Sequence, residues 1–131
     1  MKNLSREYLR SGNVYMNNKD LNAASHMLAH CERIERYLDR CNRSLEEFMN
    51  DELIQDGVTM QLLAMGELTT HFTDEFKSTY SEEIDWRNFK QLRNVCAHRY
   101  GTLDYKIIWD IAIDELPTVK GFFEKVVNEA G

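Results

Sequence analysis

Proline is almost missing from this sequence, with one residue, Pro117, in 131, and glycine is scarce at 6. An all-β sandwich or barrel needs many short strands punctuated by turn residues, so this scarcity argues against one and makes all-α the default. Cysteine is sparse as well. Cys31, Cys41 and Cys96 form no CxxC pair, and an odd number is a poor disulfide framework, which fits a reducing, cytoplasmic setting. No run of about 18 apolar residues occurs, and residues 1–20 lack the apolar stretch of a signal peptide. The expectation is a soluble, unexported protein with no membrane contact. An excess of positive charge is missing too: Lys and Arg total 16 against 22 acidic residues, a formal charge of -6. Proteins that coat nucleic acid nonspecifically are normally basic, so any nucleic-acid contact here must be local.

What remains is a composition of 43% hydrophobic and 29% charged residues, close to a globular average. The length suits a single domain over 1–131, read as a polar leader (1–18) followed by a helical bundle (19–128). From about Lys19 to Cys41, Leu21, Ala24, Leu28, Cys31, Ile34 and Leu38 recur at three-and-four spacing, one stripe of an amphipathic helix. Ser44-Leu45-Glu46-Glu47 reads as a capping box opening a second helix, with a break expected between Met49 and Gly57. Ile54, Val58, Leu62, Met65, Thr69, Phe72 and Phe76 continue the helical period, and Gly57 and Gly66 trade propensity for close approach or a bend. Asp85 can cap a helix whose Trp86, Phe89, Leu92 and Cys96 face inward and which loses regularity between His98 and Gly101. Asp104 can cap a last helix carrying Ile107, Ile108, Ile111, Ala112 and Leu116, which Pro117 should kink or restart before Val119, Phe122 and Phe123. The pattern predicts an all-α, up-and-down bundle of four to five helices.

The chemistry concentrates in residues 86–103, WRNFKQLRNVCAHRYGTL, which hold Arg87, Lys90, Arg93 and Arg99 and no acid, leaving the rest of the chain near -10. Arg87, Lys90 and Arg93 recur every three residues and so share one broad side, a candidate phosphate-binding face. Tyr100 and Tyr105 lie close enough in sequence to stack on unpaired bases. The plainer reading is a solvated charged face. Arg93 and His98 are five residues apart, about 140° of rotation on a regular helix, so they converge on one phosphate only if the helix ends or bulges near Cys96 or a second copy faces it across a two-fold axis. Together they suit phosphodiester cleavage: a histidine of ordinary pKa about 6.5 can move a proton at a ribose 2′-hydroxyl or a leaving oxygen, and an arginine can stabilise the charged phosphorane. A histidine that simply caps a helix C-terminus is the plainer alternative. Asn94 is either helix surface or a donor to phosphate beside Arg93.

Other constellations weigh less. His26, His30 and Cys31 lack the partner spacing of a metal site, Glu67 and His71 are four apart rather than the three of a di-iron bundle, and no Gly-rich phosphate loop is present. No cofactor and no metal is expected. Met60, Met65, Trp86, Trp109 and the Phe122-Phe123 pair read as core or as a dimer seam.

The run from Arg93 through His98 to Tyr100 resembles the Arg-x4-His-x-Tyr signature of the HepT-like HEPN toxins, the ribonuclease halves of bacterial HEPN/MNT toxin–antitoxin pairs. Phe48 to Gln55-Asp56, Gly66-Glu67, Ile84-Asp85-Trp86, Trp109 and Leu116-Pro117 fall in the order and spacing of that family, over roughly 19–127. The resemblance implies a HEPN bundle, a homodimer with paired motifs at its cleft, and metal-independent RNA cleavage. It implies that Arg93 and His98 are catalytic, with Asn94, Arg87, Lys90 and Arg99 in support. It also makes Tyr100 the residue adenylylated by a minimal nucleotidyltransferase antitoxin. Two departures stand out: Asp85 occupies the position before the tryptophan where the family usually has proline, and the leader is longer. The alternative is a non-catalytic HEPN module that binds nucleotide or a nucleotidyltransferase without cleaving RNA.

Overall fold

The computed structural model describes residues 8–11, 14–98 and 104–130, with side chains from Met16 to Asn94 and from Asp104 to Ala130. It is an all-α bundle with a two-stranded ribbon at its head. Strands β1 (Tyr8–Ser11) and β2 (Val14–Asn17) pair antiparallel, with Leu9 opposite Met16. Met16 is buried, so this part of the leader is tied to the core rather than merely polar. Asn17 ends β2 and caps helix α1 (Asn18–Arg40), its side-chain oxygen accepting from the Lys19 amide at 2.7 Å.

Helix α1 buries Ala23, Ala24, Met27, Cys31, Ile34 and Leu38, while Leu21 and Leu28 sit half-buried at the edges of that stripe. It ends in a Schellman turn: the Arg43 amide donates to the Leu38 carbonyl at 2.9 Å and the Asn42 amide to that of Asp39 at 3.0 Å, with both turn residues left-handed (φ 57° and 50°). The expected cap of helix α2 (Leu45–Met49) forms in half. The Ser44 hydroxyl accepts from the Glu47 amide at 3.3 Å, but the Glu47 carboxylate does not reach back. It accepts from Asn42 Nδ2 at 3.1 Å instead, because the left-handed turn brings that amide alongside.

The break expected after Met49 falls at Asn50-Asp51. Asp51 caps helix α3 (Glu52–Leu68), and Gln55 Nε2 donates across the break to the Phe48 carbonyl at 3.0 Å. Every residue of the stripe from Ile54 to Phe76 is buried, as its period implied, but the stripe spans three elements. Helix α3 gives way to a 3₁₀ turn (Thr69–His71) and then to helix α4 (Asp74–Thr79). Asp20, nearly fully buried at the start of α1, holds this corner: its two carboxylate oxygens accept from the Thr73 amide and hydroxyl, each at 2.7 Å.

Helix α5 (Trp86–His98) starts at Asp85, whose Oδ1 accepts from the Arg87 amide at 3.1 Å. Trp86 Nε1 donates to the Lys77 carbonyl at 3.0 Å, and its ring joins a cluster with Phe72 and Phe76. Asp104 caps helix α6 (Tyr105–Asp110) as expected, accepting from the Lys106 amide at 2.9 Å, although Ile107 points out to solvent rather than inward. The final helix does not restart at Pro117. It continues through a π turn (Ile111–Glu115) into helix α7 (Leu116–Ala130). The wider turn makes room for a proline that lacks an amide hydrogen and would crowd the carbonyl four residues back. Helix α1 packs on α3 and α7, and α3 packs on α5, which sets α5 at one side of the core.

Candidate functional site

The candidate site is built where α5 crosses α3, and a glycine sets how closely they meet. A Cβ on Gly66 would lie 2.9 Å from Arg93 Cβ and 3.0 Å from the Phe89 carbonyl oxygen, closer than real side chains tolerate. Only hydrogen fits. The close approach brings the next residue of α3, Glu67, to Arg93, whose Nε lies 2.9 Å from Glu67 Oε1. Arg93 is therefore not an open member of a basic face. Its side chain is 41% exposed and held at the seam, while that of Arg87 is 89% exposed and 3.6 Å from Asp85.

This corrects the expectation that Arg87, Lys90 and Arg93 share one side. A three-residue step on an α-helix falls about 60° short of a full turn, so two steps carry Arg93 about 120° from Arg87, next to Trp86 and the packed edge. Lys90 and Asn94 are exposed. His98 is the last residue of α5, and the backbone stays α-helical up to it, with no bulge near Cys96. The helix thus turns about 140° between positions 93 and 98 within one chain. The side chains of Cys96 and His98, and all of Arg99 and Tyr100, lie outside the described residues.

Tyr105 is not free to stack on bases. Its hydroxyl donates to Asp56 Oδ1 at 3.2 Å, and its ring is half-buried against the core. Burial first, and then the Asp56 carboxylate, push its phenol pKa up. The His26, His30 and Cys31 grouping also dissolves: His30 Nδ1 bonds Gln61 Oε1 at 2.7 Å, and Cys31 faces the core, where burial above all, with Glu35 adding to it, pushes its thiol up to about 12. Among the described residues, no group of three or more His, Cys, Asp or Glu side chains could hold a metal.

Two features of the site were not anticipated. Glu67 as the partner of Arg93 was visible only as half of a rejected metal pair, since its sequence separation from Arg93 says nothing about a helix crossing. The second is an apolar stripe on the outer face of α3: Leu53 is 79% exposed and Met60 60%, and they stand seven residues apart in line with Glu67. Met60 is thus not core. The stripe could have been read from the sequence, because Leu53 and Met60 fall off the buried series of Ile54, Val58, Leu62 and Met65.

A sequence profile of HepT-like ribonucleases matches residues 27–126, taking in α3, α5 and the seam between them. The chain belongs to the HepT-like ribonuclease family. Among its relatives is a Thermococcus cleftensis protein named "Probable ribonuclease HepT", 31% identical over 62% of this chain and 73% of its own. A Caldanaerobacter subterraneus protein named "Putative RNase" is 30% identical over 79% of this chain and 87% of its own. One from Methanocaldococcus jannaschii, also named "Putative RNase", is 27% identical over 75% and 81%. No solved structure matches the chain. No helix among the described residues of this HepT-like chain is long and apolar enough to cross a membrane.

Proposed function

We propose that this HepT-like chain is a metal-independent RNA endonuclease of a toxin–antitoxin pair, working as a homodimer in which Arg93 binds the scissile phosphate and His98 moves the proton. The observation that carries this reading is the placement of Arg93. It is half-exposed at the α3–α5 seam, aimed by Glu67, and five residues before a histidine that ends the same helix. In the cleavage step the 2′-oxygen attacks the adjacent phosphorus and the bond to the 5′-oxygen breaks; His98 either takes the 2′-hydroxyl proton while water protonates the leaving oxygen, or protonates the leaving oxygen while water takes the 2′-hydroxyl proton. A 2′,3′-cyclic phosphate and a 5′-hydroxyl result. Arg93 matches the charge that builds on the non-bridging oxygens. Lys90 and Asn94, both exposed on α5, and Arg87 and Arg99 would meet neighbouring phosphates.

The dimer is supported by geometry. A straight α5 sends positions 93 and 98 in different directions, so one cleft with both groups is completed most simply by a second α5. The exposed Leu53 and Met60 stripe runs to Glu67 and so ends at the Arg93 seam, and α6, pinned to α3 by the Tyr105–Asp56 bond, adds exposed Ile107. A nucleotidyltransferase antitoxin would silence the enzyme by placing AMP on Tyr100, setting a phosphate and a base beside the cations that RNA uses.

The deciding experiment incubates purified, unmodified protein with total RNA and with tRNA in EDTA, beside His98→Ala and Arg93→Ala. Cleavage in EDTA that both substitutions abolish supports the reading; activity that appears only with magnesium would falsify the mechanism. The second reading, a non-catalytic HEPN module, draws on the same Arg93–Glu67 pair, because an arginine with its charge matched can serve structure alone. It predicts no cleavage under any condition and loss of stability in Arg93→Ala. Intact mass of the protein co-expressed with its antitoxin tests the switch: a gain of one AMP unit that Tyr100→Phe removes is expected, and an unmodified mass in a silenced complex would mean inhibition by binding alone.

A further inference from the structure

Beside α5, a groove of about 470 Å³ opens between this helix, the π turn and the start of α7. Its floor is apolar, formed by Leu62 and Met65 of α3, Phe89 and Leu92 of α5, and Leu116 and Val119 of α7. Its rim is acidic. Glu83 and Asp85 stand at the head of α5, Asp114 and Glu115 stand on the π turn opposite, and no lysine, arginine or histidine lines it. Glu83, Asp114 and Glu115 pair with no cation among the described residues. The π turn is part of the design, since its wider backbone forms one wall of the groove, and such turns recur at functional sites.

We propose that this groove docks a basic amphipathic segment of a partner protein, with apolar anchors seated on the floor and lysine or arginine side chains meeting the carboxylates of Glu83, Asp114 and Glu115. The distribution of polarity selects this occupant. Small-molecule pockets carry convergent polar groups inside an apolar enclosure, whereas here the charge lies on acidic residues around a largely apolar trough to which Asn88, Gln91 and Thr118 add only neutral polar groups, the anatomy of a helix-in-groove interface. The stretch of α5 from Asp85 to Leu92 is about 10 Å long, room for two or three anchors at helical spacing. RNA is disfavoured by the same rim, which repels phosphate, so this surface and the Arg93 seam present opposite charge on neighbouring faces of one helix. The inference stands independently of the catalytic reading.

The test uses the full chain and a labelled 18-residue helical Leu/Lys peptide with one apolar face, beside a Leu/Glu peptide of the same pattern and a sequence-scrambled Leu/Lys peptide. Binding of the first alone, weakened by salt and reduced at least tenfold in Asp114→Lys/Glu115→Lys, is expected. Amide NMR shifts should centre on residues 62–65, 83–92 and 111–119. Glu46→Lys/Glu47→Lys, on α2, should bind the peptide as wild type does. Matching far-UV circular dichroism in the two double variants would show that the fold is untouched. Equal peptide affinity in both double variants, shifts centred elsewhere, or the same shifts produced by an RNA oligonucleotide or by a small organic cation such as benzyltrimethylammonium would overturn the proposal.

Discussion

At Gly66 the missing side chain is itself a structural element, because it lets α3 and α5 touch at the residue that the catalytic reading depends on. Gly66→Ala would drive a Cβ to 2.9 Å from Arg93 Cβ and 3.0 Å from a backbone oxygen, neither of which is the far end of a flexible chain, so the helices must separate. The expected cost is about 1–3 kcal/mol, as for overpacking elsewhere. Urea denaturation checks that figure, and RNA cleavage measured well below the unfolding midpoint should fall further than the folded fraction does, because Arg93 moves with the seam. Unchanged stability would mean that the seam yields freely. Cys31 makes a different kind of prediction. Its thiol is pushed up to about 12 from an ordinary 9, chiefly by burial, so the folded state keeps a proton that the unfolded state releases. That contribution to stability is fully present below pH 9 and is lost as pH rises through 9 towards 12. Peptide mapping after alkylation at pH 8 should find Cys31 protected in the native protein and modified in urea. Rapid native labelling at Cys31 would contradict its placement in the core.

At the scale of elements, the caps show which helix boundaries are decided locally and which by distant contacts. Asp85 starts α5 by accepting the Arg87 amide, and an aspartate at this position also suits the positive end of the helix. Helix starts at Ser44, Asp85 and Asp104 and the break after Met49 were legible in the sequence, because a cap is decided within three residues. The 3₁₀ corner after Leu68 was not. It depends on Asp20, 53 residues away, whose carboxylate takes both Thr73 hydrogen bonds, and Thr73 in turn caps α4 by accepting from Phe76. Hydrophobic period cannot reveal such a tie, since Thr69, Phe72 and Phe76 keep the helical spacing across the corner. Asp20→Ala leaves the half-buried Thr73 donors without that acceptor and should cost about 1.5–3 kcal/mol, the range for hydrogen bonds to a charged group. Thermal melting measures the loss, and Asp20→Asn, which keeps one acceptor, should lie between it and wild type.

At the scale of the whole molecule, the net charge of -6 conceals a division that the sequence shows only in part. The cations of residues 86–103 were visible as a run, but the drift of Arg93 towards α3 and the gathering of Glu83, Asp85, Asp114 and Glu115 around one groove depend on helix crossings. What a single chain leaves open is how Arg93 and His98 act together when a regular helix turns about 140° between them. A two-fold dimer resolves this if each cleft pairs Arg93 of one protomer with His98 of the other, and this arrangement makes a prediction that an intrachain site does not. Arg93→Ala and His98→Ala are each expected to be inactive alone. In a mixed dimer one cleft then carries both substitutions and the other carries none. Random association of equal amounts makes half of the dimers mixed, each with one working cleft of two, so about a quarter of wild-type cleavage should return. Co-refolded or co-expressed variants with different affinity tags, purified over both, allow the mixed dimer to be assayed directly. Met60→Glu, placed on the exposed α3 stripe, should lower the dimer fraction seen by light scattering and abolish this rescue while leaving each monomer folded. Mixed dimers as inactive as their parents would assign both groups to a single chain, or require all four in each event.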